Sequence, residues 1–387
     1  MVHTSTGRAY STDHMQAKPG YRHSYSALMP LASRYATVPP FPLPIRKVGA
    51  PLAAIIGLGT LAALILTLLT AVNPGGTALG FGLATTAMTC VLLCYLWLDR
   101  WEPEPPRLLV LAFLWGASVA VLLSVLAEHI FAKTLGAGDD SADFATVAIG
   151  APVIEEAAKG AFLLLMMTGR RRNELNTLTD CLVYAGITAA GFAWLENIFY
   201  IASGETLGGS LAIAALRLVI GPFAHPLFTT MTGIGVYYAL KQRNPLAKAA
   251  CVLTGYAAAV VMHGLWNGSA LFGAKSYIGV YVLWMMPIFA LAITLSVASR
   301  RREQRIVADK LPGMVAAGLI SAPEAYWLAS MPTRKAAVSA AARRGGAAGR
   351  AAGARRVAQR RARAAGKEAA RDVRGRERAG HPALDSP

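Results

Sequence analysis

The sequence predicts an all-α polytopic membrane helix bundle of about eight transmembrane helices with disordered cytoplasmic ends. Three observations carry that prediction. Of 387 residues, 55% are apolar and only 15% charged, where an average soluble domain is roughly a quarter charged. Apolar runs of about 20 residues, the length that crosses a hydrocarbon core, recur along the middle of the chain. The formal net charge of +17 is unevenly spread: residues 1–47 carry +5, residues 48–299 carry −1 and residues 300–387 carry +13. A neutral apolar body between two basic ends excludes an ordinary soluble enzyme and a wholly disordered chain.

The spans are expected over 48–72, 78–98, 108–131, 144–168, 177–202, 219–240, 250–272 and 277–299, with 210–218 a short lead-in to the sixth. They are rich in Leu, Ala, Val and Gly, which suits helices that pack closely in lipid. Lys and Arg set the orientation. With the N-terminus inside, the inner loops hold Arg100, Arg107, Arg170, Arg171, Arg172, Lys241, Arg243 and Lys248. The outer loops hold only Lys133 and Lys275 as basic residues, beside Asp139, Asp140, Asp143 and Glu205. The expected location is the cell membrane, with both termini cytoplasmic.

Residues 1–47 mix Ser, Tyr, Pro and scattered charge and read as a disordered cytoplasmic segment. They contain no apolar stretch long enough for a signal peptide, and the first span lacks an A-x-A site, so it is expected to be retained. Residues 48–299 form the membrane domain. Residues 300–333 read as a cytoplasmic helical segment, where Ser321 and Pro323 give a cap-and-start signal. From 334 to 387 the chain is a basic Ala/Gly/Arg-rich tail. No aromatic or base-reading side chains sit among its arginines, so no nucleic-acid partner is expected. Contact with anionic lipid fits it better. Cys90, Cys94, Cys181 and Cys251 all fall in spans without a C-x-x-C, and read as small buried hydrophobes.

Ionisable side chains inside spans are the informative exceptions. Each costs roughly 3 kcal/mol or more to insert, so such groups face the bundle interior and carry function. The fourth span holds Glu155, Glu156 and Lys159, the fifth Glu196, the sixth His225 and the seventh His263. Glu128, Asp180 and Arg217 lie near span ends and read as interfacial. Counted along ideal helices, His263 lies about 10 Å from the outer face, Glu196 and His225 about 9 Å, and Glu155 at most about 16 Å. Pro152 makes the last figure shallower by opening the helix locally. Four helices thus bring polar groups to one layer in the outer half of the membrane.

Spacing adds detail. Glu155 and Lys159 are four apart and share a face, whereas Glu156, about 100° around the helix, is expected to point elsewhere. Asn267 lies one turn beyond His263, and Phe192 one turn before Glu196. Pro222 and Pro226 flank His225 and free backbone carbonyls there. Amide hydrolysis needs an activated water, a proton shuttle and a donor to the developing oxyanion. A buried Glu, an imidazole and Asn267 supply those functions. Glu155, Glu196, His225 and His263 are equally candidate ligands for zinc. No H-E-x-x-H is present, and residue types alone leave a glutamate-activated and a metal-activated water both open.

The ordered set EEAAK at 155–159, FAWLENIFY at 192–200, HPLFT at 225–229 and HGLWN at 263–267 resembles the PrsW family of intramembrane proteases. So does DRWEPEPP at 99–106. That family is similar to the CAAX-processing and bacteriocin-immunity membrane proteases; Glu196 stands where those carry His, and Lys159 where they usually carry Arg. The resemblance spans roughly residues 90–270. It implies proteolysis of a membrane-anchored, single-span substrate on its outer side, with an anti-sigma factor as the described target. It makes Glu155 the base or a ligand and Glu156 its support. His225 becomes the partner of Glu155, and His263 and Asn267 hold the oxyanion or a metal. Lys159 balances charge, and Glu196 orients a histidine or ligates. Asp99, Glu102 and Glu104 read as structural residues of a Pro-stiffened inner loop. The rival reading is a proton-coupled transporter or channel, since Glu/His chains also relay protons. It lacks the internal repeat and broken-helix pairs of many transporters.

Overall fold

The computed structural model describes residues 49–100, 103–134, 144–337, 339, 340 and 343. The expected disordered segment at 1–47, the acidic loop at 139–143, Glu102 and the expected disordered tail of 334–387 from 344 onward lie outside the described residues; the first residues of that tail, 334–337, are helical instead. No strand occurs among those described. The described residues from 49 to 302 form a multi-pass membrane helix bundle, and those from 303 to 343 fall in a second compact unit.

The first hairpin is α1 (Leu52–Val72) and α2 (Pro74–Leu98). Asn73 caps α2 by accepting from the Gly76 amide at 2.9 Å. Next come α3 (Pro106–Thr134), with a π-helical turn at Gly116–Ala120, and α4. The latter begins as a π turn at Ala145–Gly150 and continues as the helix Ala151–Met166. Helix α5 (Leu178–Ala202) starts at a capping box between Thr177 and Asp180. Helix α6 covers 207–220, its last turn π-helical, and α7 (Ala224–Lys241) follows after a break at 221–223. Then come α8 (Pro245–Leu271), capped by Asn244, and the long α9 (Ala274–Ala316).

Among the described residues, seven stretches are long and apolar enough to cross a membrane: α1, α2, α3, α5, the interrupted Leu207–Lys241, α8 and α9. The fourth expected span is helical but carries Glu155, Glu156 and Lys159, all buried inside the bundle. The expected lead-in at 210–218 is in fact a helix of its own from 207, because Thr206 caps it. Of the four cysteines, Cys181 is buried and Cys251 half-buried, but Cys90 and Cys94 are exposed. The expectation of burial fails for that pair because their face of α2 points outward, together with Leu93, Leu96 and Trp97.

Helix α5 is the axis of the bundle. It is buried along nearly its whole length and packs against α2, α3, α4 and α7. Small residues permit the crossings. A Cβ on Gly116 would stand 1.9 Å from the Thr188 carbonyl, and one on Gly191 would stand 2.0 Å from the Phe113 carbonyl. Without a hydrophobic drive between helices in lipid, such close backbone approach is what holds them. Two side-chain bonds pin α4: Trp115 donates to the Ala158 carbonyl at 3.0 Å and Tyr256 to the Val153 carbonyl at 2.7 Å.

The loop after α2 is also built into the body. Asp99 Oδ2 accepts from the Glu104 amide at 2.7 Å, and Tyr184 of α5 donates to Glu104 Oε2 at 3.0 Å. Both acids are buried, in keeping with a structural role. In the second unit, Gly318 takes φ +65° to end α9. Ser321 and Glu324 then form the capping box of α10 (Ala322–Leu328). Leu311, Ile320, Ala325 and Leu328 make its small core.

Candidate active site

Six of the seven predicted site residues meet. Four helices deliver them: α4 gives Glu155, Glu156 and Lys159, α5 gives Glu196, α7 gives His225 and α8 gives His263. The sequence explains each placement. The Gly-Pro break at 221–223 starts α7 afresh, so His225 stands in its first turn. Pro226 follows it at a position where a helix needs no amide donor. His263 faces inward because Gly264 lets α8 approach α4: a Cβ there would lie 2.5 Å from the Ala148 carbonyl.

Lys159 is the hub. Its side chain is fully buried, with Nζ at 3.1 Å from Glu155 Oε2, 2.7 Å from Glu156 Oε1 and 3.1 Å from His225 Nδ1. It also lies 4.1 Å above the Phe192 ring. Here the structure differs from the helical-offset expectation, since Glu156 joins Glu155 on one ammonium. Residues three and four positions before a lysine both lie within its reach. Beyond Lys159 the two acids diverge. Glu156 Oε1 meets His263 Nδ1 at 3.1 Å, and its Oε2 accepts from Thr229 Oγ1 at 2.7 Å. Glu155 Oε2 faces both imidazoles, at 3.8 Å from His225 Nδ1 and 3.9 Å from His263 Nε2.

Each histidine is held by a carboxylate on the nitrogen that points away from Glu155. Glu156 holds His263 through Nδ1, and Glu196 Oε2 holds His225 through Nε2 at 2.8 Å. That pattern assigns the ring protons: Nδ1–H on His263 and Nε2–H on His225, inferred from the partners. The remaining lone pairs are on His263 Nε2, 3.9 Å from Glu155 Oε2, and on His225 Nδ1, which accepts from Lys159 Nζ at 3.1 Å and lies 3.8 Å from the same Glu155 oxygen. Aromatic neighbours fix the ring planes. Phe228 stacks on His263 at 4.8 Å and 18°, and Phe192 lies 5.4 Å from His225.

The donor set fits a metal ion. One atom each of Glu155, His225 and His263 lies within 4.8 Å of the others, and all three residues are buried. Zinc with ligands at about 2.0–2.2 Å in a tetrahedron spaces its donors roughly 3.3 Å apart. The two Glu155–imidazole distances of 3.8 and 3.9 Å exceed that spacing by about half an ångström, and the 4.8 Å within which all three donors lie exceeds it by about 1.5 Å, so a modest inward turn of the side chains closes the set as Lys159 Nζ withdraws from His225. Carboxylates behind both histidines are the usual support of such a site. Glu196, a fourth candidate ligand from the sequence, lies behind His225 and is not a member of that group. Asn267 turns aside as well, donating to the Val147 carbonyl of α4 at 3.3 Å.

Two residues set aside as interfacial belong to the site's surroundings. Arg217 of α6 bonds Glu196 through Nη2 and Asn197 through Nε, the latter at 2.6 Å. Glu128 of α3 keeps one carboxylate oxygen buried without a hydrogen-bond partner among the described residues. Both lie near span ends, where linear depth counting discards them. Only the side chains' reach inward reveals them. The ionisable groups form one closed cluster, not a file across the bundle, which removes the motive for the transporter reading.

The chain is similar to known proteases over the stretch that holds these residues. Residues 104–292 match the family described as PrsW family intramembrane metalloprotease. A protease PrsW of Clostridioides difficile (strain 630) is 25% identical over 187 residues, covering 47% of this chain and 76% of its own length. A protease PrsW of Geobacillus kaustophilus (strain HTA426) is 26% identical over 214 residues, covering 54% of this chain and 85% of its own length. No solved structure matches. The matched stretch, just under half of the chain, contains every residue of the cluster, and over it the chain is similar to the PrsW family of intramembrane proteases.

Proposed function

We propose that this chain hydrolyses a peptide bond of a single-span membrane protein near the extracytoplasmic face, with a metal ion held by Glu155, His225 and His263. The observation that carries the reading is the convergence of two imidazole lone pairs on one buried carboxylate, with each ring steadied from behind by a second carboxylate. Zinc is the ion that this set of one oxygen and two nitrogen donors suits best, leaving a position for water or substrate. When bound, it supplies a Lewis acid that polarises the scissile carbonyl and acidifies water.

The chain's own residues do the rest. Glu156 and Glu196 keep the rings turned, and Lys159 offsets the negative charge of three nearby carboxylates. Asn267, one turn past His263, exchanges the Val147 carbonyl for the developing oxyanion of the substrate. Phe192 and Phe228 wall the cluster against lipid. Access comes from the α5–α6 side, where exposure rises: Lys159 and Glu156 side chains are 0% exposed, Glu196 14% and Arg217 26%. An anti-sigma factor is the proposed substrate class, both termini are placed in the cytoplasm, and the membrane is the cell membrane.

The test uses the full-length chain in proteoliposomes with a panel of single-span substrates, anti-sigma factors among them. The wild type is expected to cut a member of the panel on its extracytoplasmic side, and Glu155→Gln and His263→Ala are expected to be inactive at equal protein level. Cleavage by either variant at the wild-type rate would overturn that residue's role. A wild type that cuts nothing would overturn the function.

A further inference from the structure

Glu196 Oε2 is shared. The same oxygen takes Nε2 of His225 at 2.8 Å and Nη2 of Arg217. Arg217 and His225 lie on opposite sides of the break at 221–223, one at the end of α6 and the other at the start of α7. No continuous helical ladder fixes their relative position. The carboxylate does so instead, by tying both to α5.

Arg217 is itself held from three sides by α5. Its Nε donates to Asn197 Oδ1 at 2.6 Å, its Nη2 reaches Glu196, and its guanidinium lies 4.1 Å above the Tyr200 ring. These partners sit at successive and one-turn positions of the helix, so a planar fork reads them all at once. Lysine, a point charge on a flexible stem, cannot reproduce that geometry. Bonds from a guanidinium to a carboxylate are among the stronger ones available, and a partly buried carboxylate needs such a partner to stay in place.

We propose that Arg217 is a positioning residue: it fixes Glu196 so that Glu196 holds the His225 ring with Nδ1 turned toward Glu155. The inference rests on the site reading above but assigns a residue outside the family's resembling motifs, reached through another residue and not by contact with substrate.

The test compares wild type, Arg217→Gln and Arg217→Lys in two assays. In proteoliposomes, Arg217→Gln is expected to lower kcat about 10–100-fold, the usual range for supporting residues, with KM within about twofold. Arg217→Lys should recover part of the loss. In metal-free protein labelled with ¹⁵N-histidine, the His225 ring, assigned with a His225→Ala control, should show a single Nε2–H form in wild type and a tautomer mixture in Arg217→Gln. An unchanged His225 spectrum, or a rise in KM alone, would overturn the proposal; the second outcome would make Arg217 a substrate contact. If Arg217→Gln does not accumulate, Arg217→Lys must show the same mixture to a smaller degree, and an unaltered ring there would overturn it equally. A wild type without activity would sink the protease reading, and the spectrum would still decide the positioning role.

Discussion

The imidazole rings of His225 and His263 stand 5.0 Å apart, centre to centre, and 87° to each other. They come from adjacent helices, yet neither bonds the other. Their perpendicular setting lets one nitrogen of each face Glu155 while the opposite nitrogen is gripped by a different carboxylate. On each ring the carboxylate takes the N–H and the lone pair of the other nitrogen is left for a second partner, which on His225 is Lys159 Nζ at 3.1 Å. The division is what a pair of ligands requires.

The carboxylate behind His263 gives a first prediction. Glu156→Gln keeps the volume and weakens the grip on Nδ1. Metal affinity, measured by competition with a chromophoric chelator, should fall about 10–100-fold. An affinity equal to wild type would mean that Glu156 serves only Lys159 and Thr229.

Lys159 gives a second. It is fully buried and bonded to two carboxylates and His225. Removing one member of a buried ion cluster leaves uncompensated charge, at a cost of about 3–5 kcal/mol. Lys159→Met should therefore unfold at lower temperature in detergent and accumulate poorly in the membrane. A thermal midpoint matching wild type would show that the two glutamates share a proton and do not need the ammonium.

The helix crossings around α5 give a third. Gly116→Ala and Gly191→Ala each place a methyl against backbone at 1.9–2.0 Å, whereas Gly82→Ala meets nothing within 4 Å. The first two should push α3 away from α5 and lose folded protein, read by size-exclusion yield. Gly82→Ala should be neutral or gain slightly from helix propensity. Equal yields for all three would contradict the packing described.

The loop after α2 gives a fourth. Tyr184→Phe removes the donor to buried Glu104. Leaving a buried acceptor short of a partner costs about 1–3 kcal/mol. Stability should fall by that amount while kcat of the folded enzyme stays at wild type. A matching fall in kcat would place the loop in the catalytic machinery.

Much of this was legible in the sequence, for identifiable reasons. Charges cost so much inside a span that Glu155, Lys159, Glu196, His225 and His263 stand out without any structure, and counting depth along ideal helices puts them in one layer. The cap signal at Ser321 acts through nearest neighbours, so it too can be read linearly, whereas the capping box of Thr177 and Asp180 comes from the structure. What fails is anything set by side-chain reach or by helix rotation. Arg217 and Glu128 sit near span ends by backbone position. The Arg217 side chain nonetheless extends to Glu196. Backbone angle alone turns Glu156 away from Glu155, whereas the long Lys159 side chain gathers both acids. Cys90 and Cys94 look like core residues because an outward-facing span and a buried one have the same composition in lipid. The fourth helix reads as a span by length, but its three charges place it apart from the seven apolar ones.

The central claim is that Glu155, His225 and His263 together hold one metal ion. Elemental analysis of purified full-length protein tests it most directly, on wild type and on Glu155→Gln, His225→Ala and His263→Ala prepared alongside. The account predicts close to one equivalent of metal, zinc foremost, in the wild type, and loss of most of it in each variant while the fold persists. Wild-type metal content in all three variants, or full cleavage activity in wild-type protein stripped of metal, would contradict it.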